Sequence, residues 1–209
     1  MRIAVLGGTG SFGGAFASRL VAVGEDDVVI GSRDAERAEA AAAELGGRAT
    51  GAVNEAAVEG VDLVVLAVKA DTAFATARSV AAALGTTPLL SVASVLSFAK
   101  DGVRPDPDAR SLAERIQDVV RGPVVAGLQS VAASNLEGGA LDEDVLICGD
   151  DRQAKELALA VTAKLVAGRA LDGGPLANAR TLEGLTAVIV NLNRRYKVHA
   201  GVRICGFET

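Results

Sequence analysis

The segment Met1-Arg2-Ile3-Ala4-Val5-Leu6-Gly7-Gly8-Thr9-Gly10-Ser11-Phe12-Gly13 constrains this chain most, because it carries a short apolar strand through Gly8-x-Gly10-x-x-Gly13 into a helical stretch. That arrangement is suited to a pyrophosphate. Gly8 is expected to make the tight turn, and Gly10 to let bare backbone approach the phosphates. Gly13 lets the helix lie close to the strand, with its N-terminal N–H groups and dipole facing the anion. A glycine triad alone is a weak signal, and a merely structural glycine turn is the competing reading. Here the triad has its strand, its helix and a second strand at the expected distance. Gly8, Thr9, Gly10, Ser11, Phe12 and Gly13 are therefore taken as candidate cofactor-binding residues.

The second strand bears on which dinucleotide binds. About 20 residues after the turn, an NAD-selective fold has an acidic residue for the ribose 2′-OH. This chain reads Val28-Val29-Ile30-Gly31-Ser32-Arg33-Asp34. A guanidinium offers a planar fork of donors to a phosphate and a serine adds a hydroxyl, so Ser32 and Arg33 favour NADP over NAD. Ser32 as a helix cap and Arg33 as a solvated cation is the alternative. The Asp34 carboxylate could reach a 2′-OH, but it is better placed to cap a helix over Ala35–Leu45.

The following pattern alternates. Strand-like runs fall at Arg2–Leu6, Val28–Gly31, Ala49–Val53, Asp62–Val68 and Pro88–Ser91, separated by helical patterns at Ser11–Val23, Ala35–Leu45, Asn54–Glu59 and Thr72–Leu84. Apolar strands alternating with helices give an α/β fold of Rossmann type, a doubly wound, mostly parallel sheet with right-handed crossovers. Ligands in such sheets bind at the carboxyl edge, so the loops after Leu6, Gly31 and Val68 should converge there. The 209 residues suffice for one large domain. A net charge of −5 leaves no footprint for nucleic acid or an anionic membrane surface. No apolar stretch reaches spanning length, so a cytoplasmic protein is expected. Cys148 and Cys205 read as reduced, partly buried small hydrophobes, and a single histidine excludes a three-histidine metal site.

Beyond Ser91 the pattern loosens. Val92 to Asp108 is too rich in breakers to be an element, and a helix over Ala109–Val120 follows it. A strand Val124–Ala126 is expected to continue outward through Gly127-Leu128-Gln129-Ser130. Asp144–Cys148 reads as another strand, and Asp150 and Asp151 as caps of a helix over Arg152–Leu165. Leu182, Leu185, Ile189, Leu192 and Tyr196 then recur at spacings of three and four, one helical stripe that Val188 and Val190 widen toward a second subunit. Arg194, Arg195 and Lys197 complement that helix's negative end, and an anionic ligand or partner there is left open.

Several of these segments together resemble one family. They are Val5-Leu6-Gly7-Gly8-Thr9-Gly10, Ile30-Gly31-Ser32-Arg33, Cys148-Gly149-Asp150-Asp151, Leu171 through Ala179, and Asn193 through Gly201. The chain from Met1 to about Val202 resembles the NADPH-dependent coenzyme F420 reductases, which exchange a hydride between NADP and a deazaflavin. The resemblance implies one NADP-binding Rossmann domain over residues 1–209, with residues from about 124 forming a smaller C-terminal helical part over the site, and a homodimer. It also implies that Thr9, Ser32 and Arg33 contact NADP and that the segment around Gln129 faces the deazaflavin. Two positions depart from the family's pattern: Lys69-Ala70 stands where proline and a bulky residue are usual, and Gln129 where histidine is usual. Lys69 could supply a cation for the deazaflavin's acidic tail or mark a different second substrate. Gln129 can still donate to a ring carbonyl.

Hydride transfer between two carriers needs positioning rather than a nucleophile, which suits a chain without an evident acid–base constellation. Val68, Lys69, Ala93, Gln129 and Ser130 complete the candidate site. Small residues at Ala93, Ser94, Gly127 and Ser130 are expected to leave room for a flat ring. An NADP-dependent reductase of a small imine or carbonyl compound, with Lys69 as acid, is the first rival reading. A non-catalytic NADP sensor recruiting a partner through the C-terminal helix is the second.

Overall fold

Each strand of the expected sheet is apolar on successive residues, so both of its faces must be covered. The computed structural model, which describes residues 1–137 and 142–207, meets that demand with helices on two sides. In the first half the elements are β1 (Arg2–Leu6), α1 (Ser11–Val23), β2 (Asp27–Ser32), α2 (Ala35–Leu45), β3 (Ala49–Val53), α3 (Asn54–Ala57), β4 (Leu63–Leu66), α4 (Ala70–Leu84) and β5 (Leu89–Ser91). Then come β6 (Leu96–Ala99), β7 (Gly102–Pro105), α5 (Leu112–Gln117), β8 (Val124–Gly127), α6 (Ala133–Glu137), β9 (Val145–Gly149), α7 (Arg152–Ala163) and β10 (Ala170–Asp172). A 3-10 turn at Leu176–Asn178 leads into the long helix α8 (Ala179–Tyr196).

Eight strands form one sheet in the order β10-β9-β8-β5-β4-β1-β2-β3. All neighbours are parallel except β8 and β9. The chain enters at β1 and winds outward in both directions, so the strand order reverses between β1 and β4, at whose carboxyl ends a ligand crevice is expected. Successive residues of β1 serve opposite faces. Ile3 and Val5 pack with Phe16 and Leu20 of α1, and Ala4 and Leu6 with Val58, Val64 and Leu84 on the α4 side.

The structure corrects the expected pattern in the second half. Val92 to Asp108 is not a plain loop: β6 and β7 form an antiparallel hairpin, and Asn191 of α8 holds Val103 through two hydrogen bonds of 2.9 and 2.7 Å. Its pairing partner lies 88 residues away, which local pattern cannot reveal. The expected outward extension of β8 stops at Gly127, because Leu128 takes a left-handed φ of 68° and redirects the chain. Only Asp151 caps α7, accepting from the Ala154 N–H; Asp150 instead accepts from Leu176 N–H and fastens the 3-10 turn before α8. Cys148 is buried, while Cys205 is exposed rather than partly buried. No helix among the described residues is long and apolar enough to cross a membrane.

Candidate functional site

At the point where the strand order reverses, a cleft of about 700 Å³ opens, lined by Gly7, Thr9 to Phe12, Ser32, Arg33 and Ala67 to Lys69. That volume lies in the range of small-molecule and cofactor sites. The three loops expected to converge do so. The turn itself differs in detail: Gly7, not Gly8, carries the positive φ of 82°, and a Cβ there would lie 2.7 Å from the Ala67 carbonyl oxygen. Gly7 N–H donates to Gly31 O at 3.0 Å and Gly10 N–H to Gly7 O at 2.9 Å, closing a compact loop before α1. Gly13 is packed so closely on Gly7 that a Cβ would collide with the Gly7 carbonyl, as the close helix–strand approach requires. Gly8 stands against Ile30, and Phe12 stacks on Phe16 at 6.3 Å.

The N-terminus of α1 has no side-chain cap and no acidic residue in its first turn. By contrast, α2 and α7 are capped by the side chains of Asp34 and Asp151. An uncapped helix start with its N–H groups facing a cleft is a ready anion site. At the tip of β2, Ser32 Oγ accepts from Asp34 N–H at 3.3 Å, and Asp34 accepts from Arg37 N–H at 3.2 Å. Asp34 is thus engaged as a cap, leaving cations at the tip. Arg33 and Arg37, four residues apart, both line the cleft, which also takes in Asn54, Asp71, Thr72 and Thr76. Arg37 is not among the residues the sequence points to; its one signal is its place in the first turn of α2, just after the strand tip.

Lys69, whose backbone begins α4, lines this same cleft with Val68. Gln129 and Ser130 lie elsewhere. They border a cavity of about 10 Å³ with Leu128, Leu182, Leu185 and Val202, so Lys69 and Gln129 do not meet on one pocket. Gln129 is buried, and its Nε2 donates to Ser91 O at 3.2 Å, while its Oε1 and the Ser91 Oγ have no partner. Thr186 of α8 ties this region together: its hydroxyl is 2.9 Å from Ser94 Oγ and 3.0 Å from Gln129 O. Ala93 is half-buried at the core's edge beside Ser94. Gly127 does not open onto the cavity, since a Cβ there would run into Ile147 across the β8–β9 pair.

Two buried carboxylates of this half behave oppositely. Glu183 on α8 accepts from Leu112 N–H at 2.9 Å and Ala113 N–H at 3.2 Å, so it caps α5 from a distance. Burial pushes its carboxyl up to about 7 against those bonds. Asp144 is held well below the usual carboxylate range by hydrogen bonds from the Arg169 guanidinium and Ile204 N–H. The Cys148 thiol is pushed up to about 11 by burial and the nearby Asp172, which leaves it unreactive.

Fold and cleft together define a Rossmann-type dinucleotide-binding protein. A family model described as NADP oxidoreductase coenzyme F420-dependent matches residues 2–95. An F420-dependent NADP reductase of Methanothermobacter marburgensis is 37% identical over 98% of both chains. That of Methanocaldococcus jannaschii is 31% identical over the full length of each. The crystal structure of a putative F420-dependent NADP reductase from Arthrobacter sp. FB24 superposes with a TM-score of 0.84 at 27% identity, covering 99% of this chain and 100% of that one. The chain belongs to the F420-dependent NADP reductase family.

Proposed function

We propose that this protein is an oxidoreductase that transfers a hydride between NADP(H) and coenzyme F420. The observation that carries this reading is the cleft itself, where the uncapped α1 N-terminus faces the same space as Arg33 and Arg37. Its donors and volume fit a phosphorylated dinucleotide. Gly10 to Phe12 would hold the pyrophosphate on a turn that Gly8 and Gly13 shape from beneath, Ser32 and Arg33 the 2′-phosphate, and Thr9, Val68 and Lys69 the adjoining walls. When bound, the two cofactors supply the reacting carbons, so the chain's residues are left to bind, orient and exclude water.

Ser91 Oγ and Gln129 Oε1 are unpaired but buried, so neither reaches a flat ring docked on the surface. Gln129, Ser130 and Ala93 are proposed as its wall. The space enclosed beside Gln129 is about that of one water. A tricyclic ring does not fit inside it as it stands, and the ring is assigned to the surface above it, against α8.

The chain acts as one domain, with residues from about 124 as the smaller part over the site. Two copies are proposed to associate through α8, where Val188 and Tyr196 are 53% and 62% exposed beside half-exposed Leu192. The absence of any disulfide between Cys148 and Cys205 suits the reducing cytoplasm.

The test is to mix the protein with NADPH and oxidised F420 and follow the deazaflavin's visible absorbance. NADPH deuterated at its transferable position should deliver the label to the reduced deazaflavin. Turnover of a small imine or carbonyl compound, with none of F420, would overturn the reading in favour of the rival reductase.

A further inference from the structure

Buried polar groups without partners are costly, and those on the wall of a ligand cleft point to the ligand. Among the described residues, the one buried unpartnered atom belonging to a residue on the wall of the 700 Å³ cleft is Asn54 Oδ1. Asn54 is 5% exposed. Its position follows from sheet register: β2 and β3 run parallel with Ser32 opposite Val53, so Asn54 stands beside Arg33 just past the two strand tips. Below it lies Gly31, where a Cβ would come within 3.1 Å of Asn54 Oδ1 and 2.5 Å of Leu6 Cδ2. The missing side chain at Gly31 is what admits the carboxamide to the tip of the second strand.

That tip is where a dinucleotide fold reads the 2′ position of the adenosine ribose. Arg33 and Arg37 already bring two cations there, and a third buried cation would be repelled in the free protein. A carboxamide avoids this. It is neutral at every pH, carries two donor hydrogens, and presents either end by rotation about its last bond.

We propose that Asn54 is a specificity-determining residue for NADP, its carboxamide turning so that Nδ2 takes the place of the unpartnered Oδ1 and donates to the 2′-phosphate beside Ser32 and Arg33. This rests on the reading of the cleft as the NADP site. Asn54 has no role in holding the free protein together through its carboxamide oxygen, so a leucine of similar shape should be accommodated without loss.

The experiment compares Asn54→Leu, Asn54→Asp and Arg33→Ala, measuring dissociation constants for NADPH, NADH and adenosine 2′,5′-bisphosphate by calorimetry and the Tm of each ligand-free protein. Asn54→Leu should weaken NADPH and the bisphosphate about tenfold or more, the size of one lost hydrogen bond to a charged group, with NADH changed less than about threefold. Its ligand-free Tm should equal or exceed that of the parent. Asn54→Asp should repel the phosphate and shift preference toward NADH. Parent-like NADPH affinity in Asn54→Leu, equal weakening of NADPH and NADH, or a large fall in ligand-free Tm would each overturn the inference. If Arg33→Ala also leaves NADPH and the bisphosphate unaffected, the site reading itself falls; if Arg33→Ala weakens them and Asn54→Leu does not, the assignment of Asn54 alone fails.

Discussion

The nucleotide cleft and the Gln129 cavity are assembled by opposite means. The cleft takes Gly7, Thr9 to Phe12, Ser32 and Arg33 from the first strand–helix–strand unit, and its remaining lining residues come from the next 43 positions, up to Thr76. Two of its contacts span three residues, Gly10 to Gly7 and Arg37 to Asp34, and a third, Gly7 to Gly31, stays within that one strand–helix–strand unit. The Gln129 cavity instead draws on Leu128 to Ser130, Leu146, Leu182, Leu185 and Val202. It is held by hydrogen bonds that skip 57, 71 and 88 residues, from Thr186 to Gln129, Leu112 to Glu183 and Val103 to Asn191. A site made from local turns keeps its shape through backbone sterics, whereas one made from remote partners depends on α8 staying docked.

The most severe way to break that contrast is at the glycine turn. Gly13→Ala would press a methyl group against the Gly7 carbonyl, which cannot move without shifting β1. It should cost about 2–3 kcal/mol, lowering Tm by roughly 5–10 °C, and abolish NADPH binding. Thermal unfolding and an NADPH titration on the same sample check both halves. Gly10→Ala, whose Cβ would meet only the Gly7 oxygen at 3.2 Å, should keep most of the stability and still weaken NADPH.

Next in size is the cation at the strand tip. Arg33→Ala should weaken NADPH by about 1.5–3 kcal/mol, some 10- to 100-fold, while leaving NADH nearly unchanged. Equal losses for the two nucleotides would move the 2′-phosphate away from this tip.

The long-range half should respond differently. Thr186→Val removes the hydroxyl that joins Ser94, Gln129 and α8, and should cost about 1 kcal/mol, or about 2–4 °C in Tm. F420 turnover should fall with NADPH affinity unaltered. A parallel loss of NADPH affinity would show that the two cavities do not respond separately.

A final effect is read as a slope rather than a single loss: a pH dependence at Glu183. Its carboxyl titrates near 7 when folded and near 4.5 when unfolded, because burial outweighs the two N–H bonds and the nearby Arg115, while Asp106 adds to the upward shift. In that window the unfolded chain holds fewer protons, so stability declines as pH rises from about 4.5 to 7. Glu183→Gln should flatten this slope in urea unfolding measured across the window. Asp144 acts in the other direction. Its carboxyl is depressed, so its contribution is present above the ordinary carboxylate range and is lost as pH falls.

Residue spacing alone specified the first half. β1 and β3 fall where the apolar runs predicted, α1 and α2 likewise, and the loops after Leu6, Gly31 and Val68 meet at one cleft. Each depends on neighbours within a few residues, or on right-handed crossover rules that leave little choice of topology. The Ser32-Arg33 tip was readable for the same reason, since strand register sets which residue reaches the sheet edge.

Tertiary structure decided the rest. The hairpin of β6 and β7 has one buried side chain, Val103, in a largely exposed stretch, and its pairing is stabilised by Asn191 from α8. The stripe Leu182, Leu185, Ile189, Leu192, Tyr196 was legible as a helix. Yet α8 fully buries Glu183 and Ala187 with Ile189, and leaves Tyr196 in solvent. Glu183 is drawn inward by the N–H groups of α5, a partner 71 residues distant that no periodicity encodes. Asn54 is ordinary in sequence, and Gln129 stands out only through the family resemblance. What distinguishes them is an unpaired amide oxygen in a buried setting, a property of the surroundings that exists only once the strands have come together.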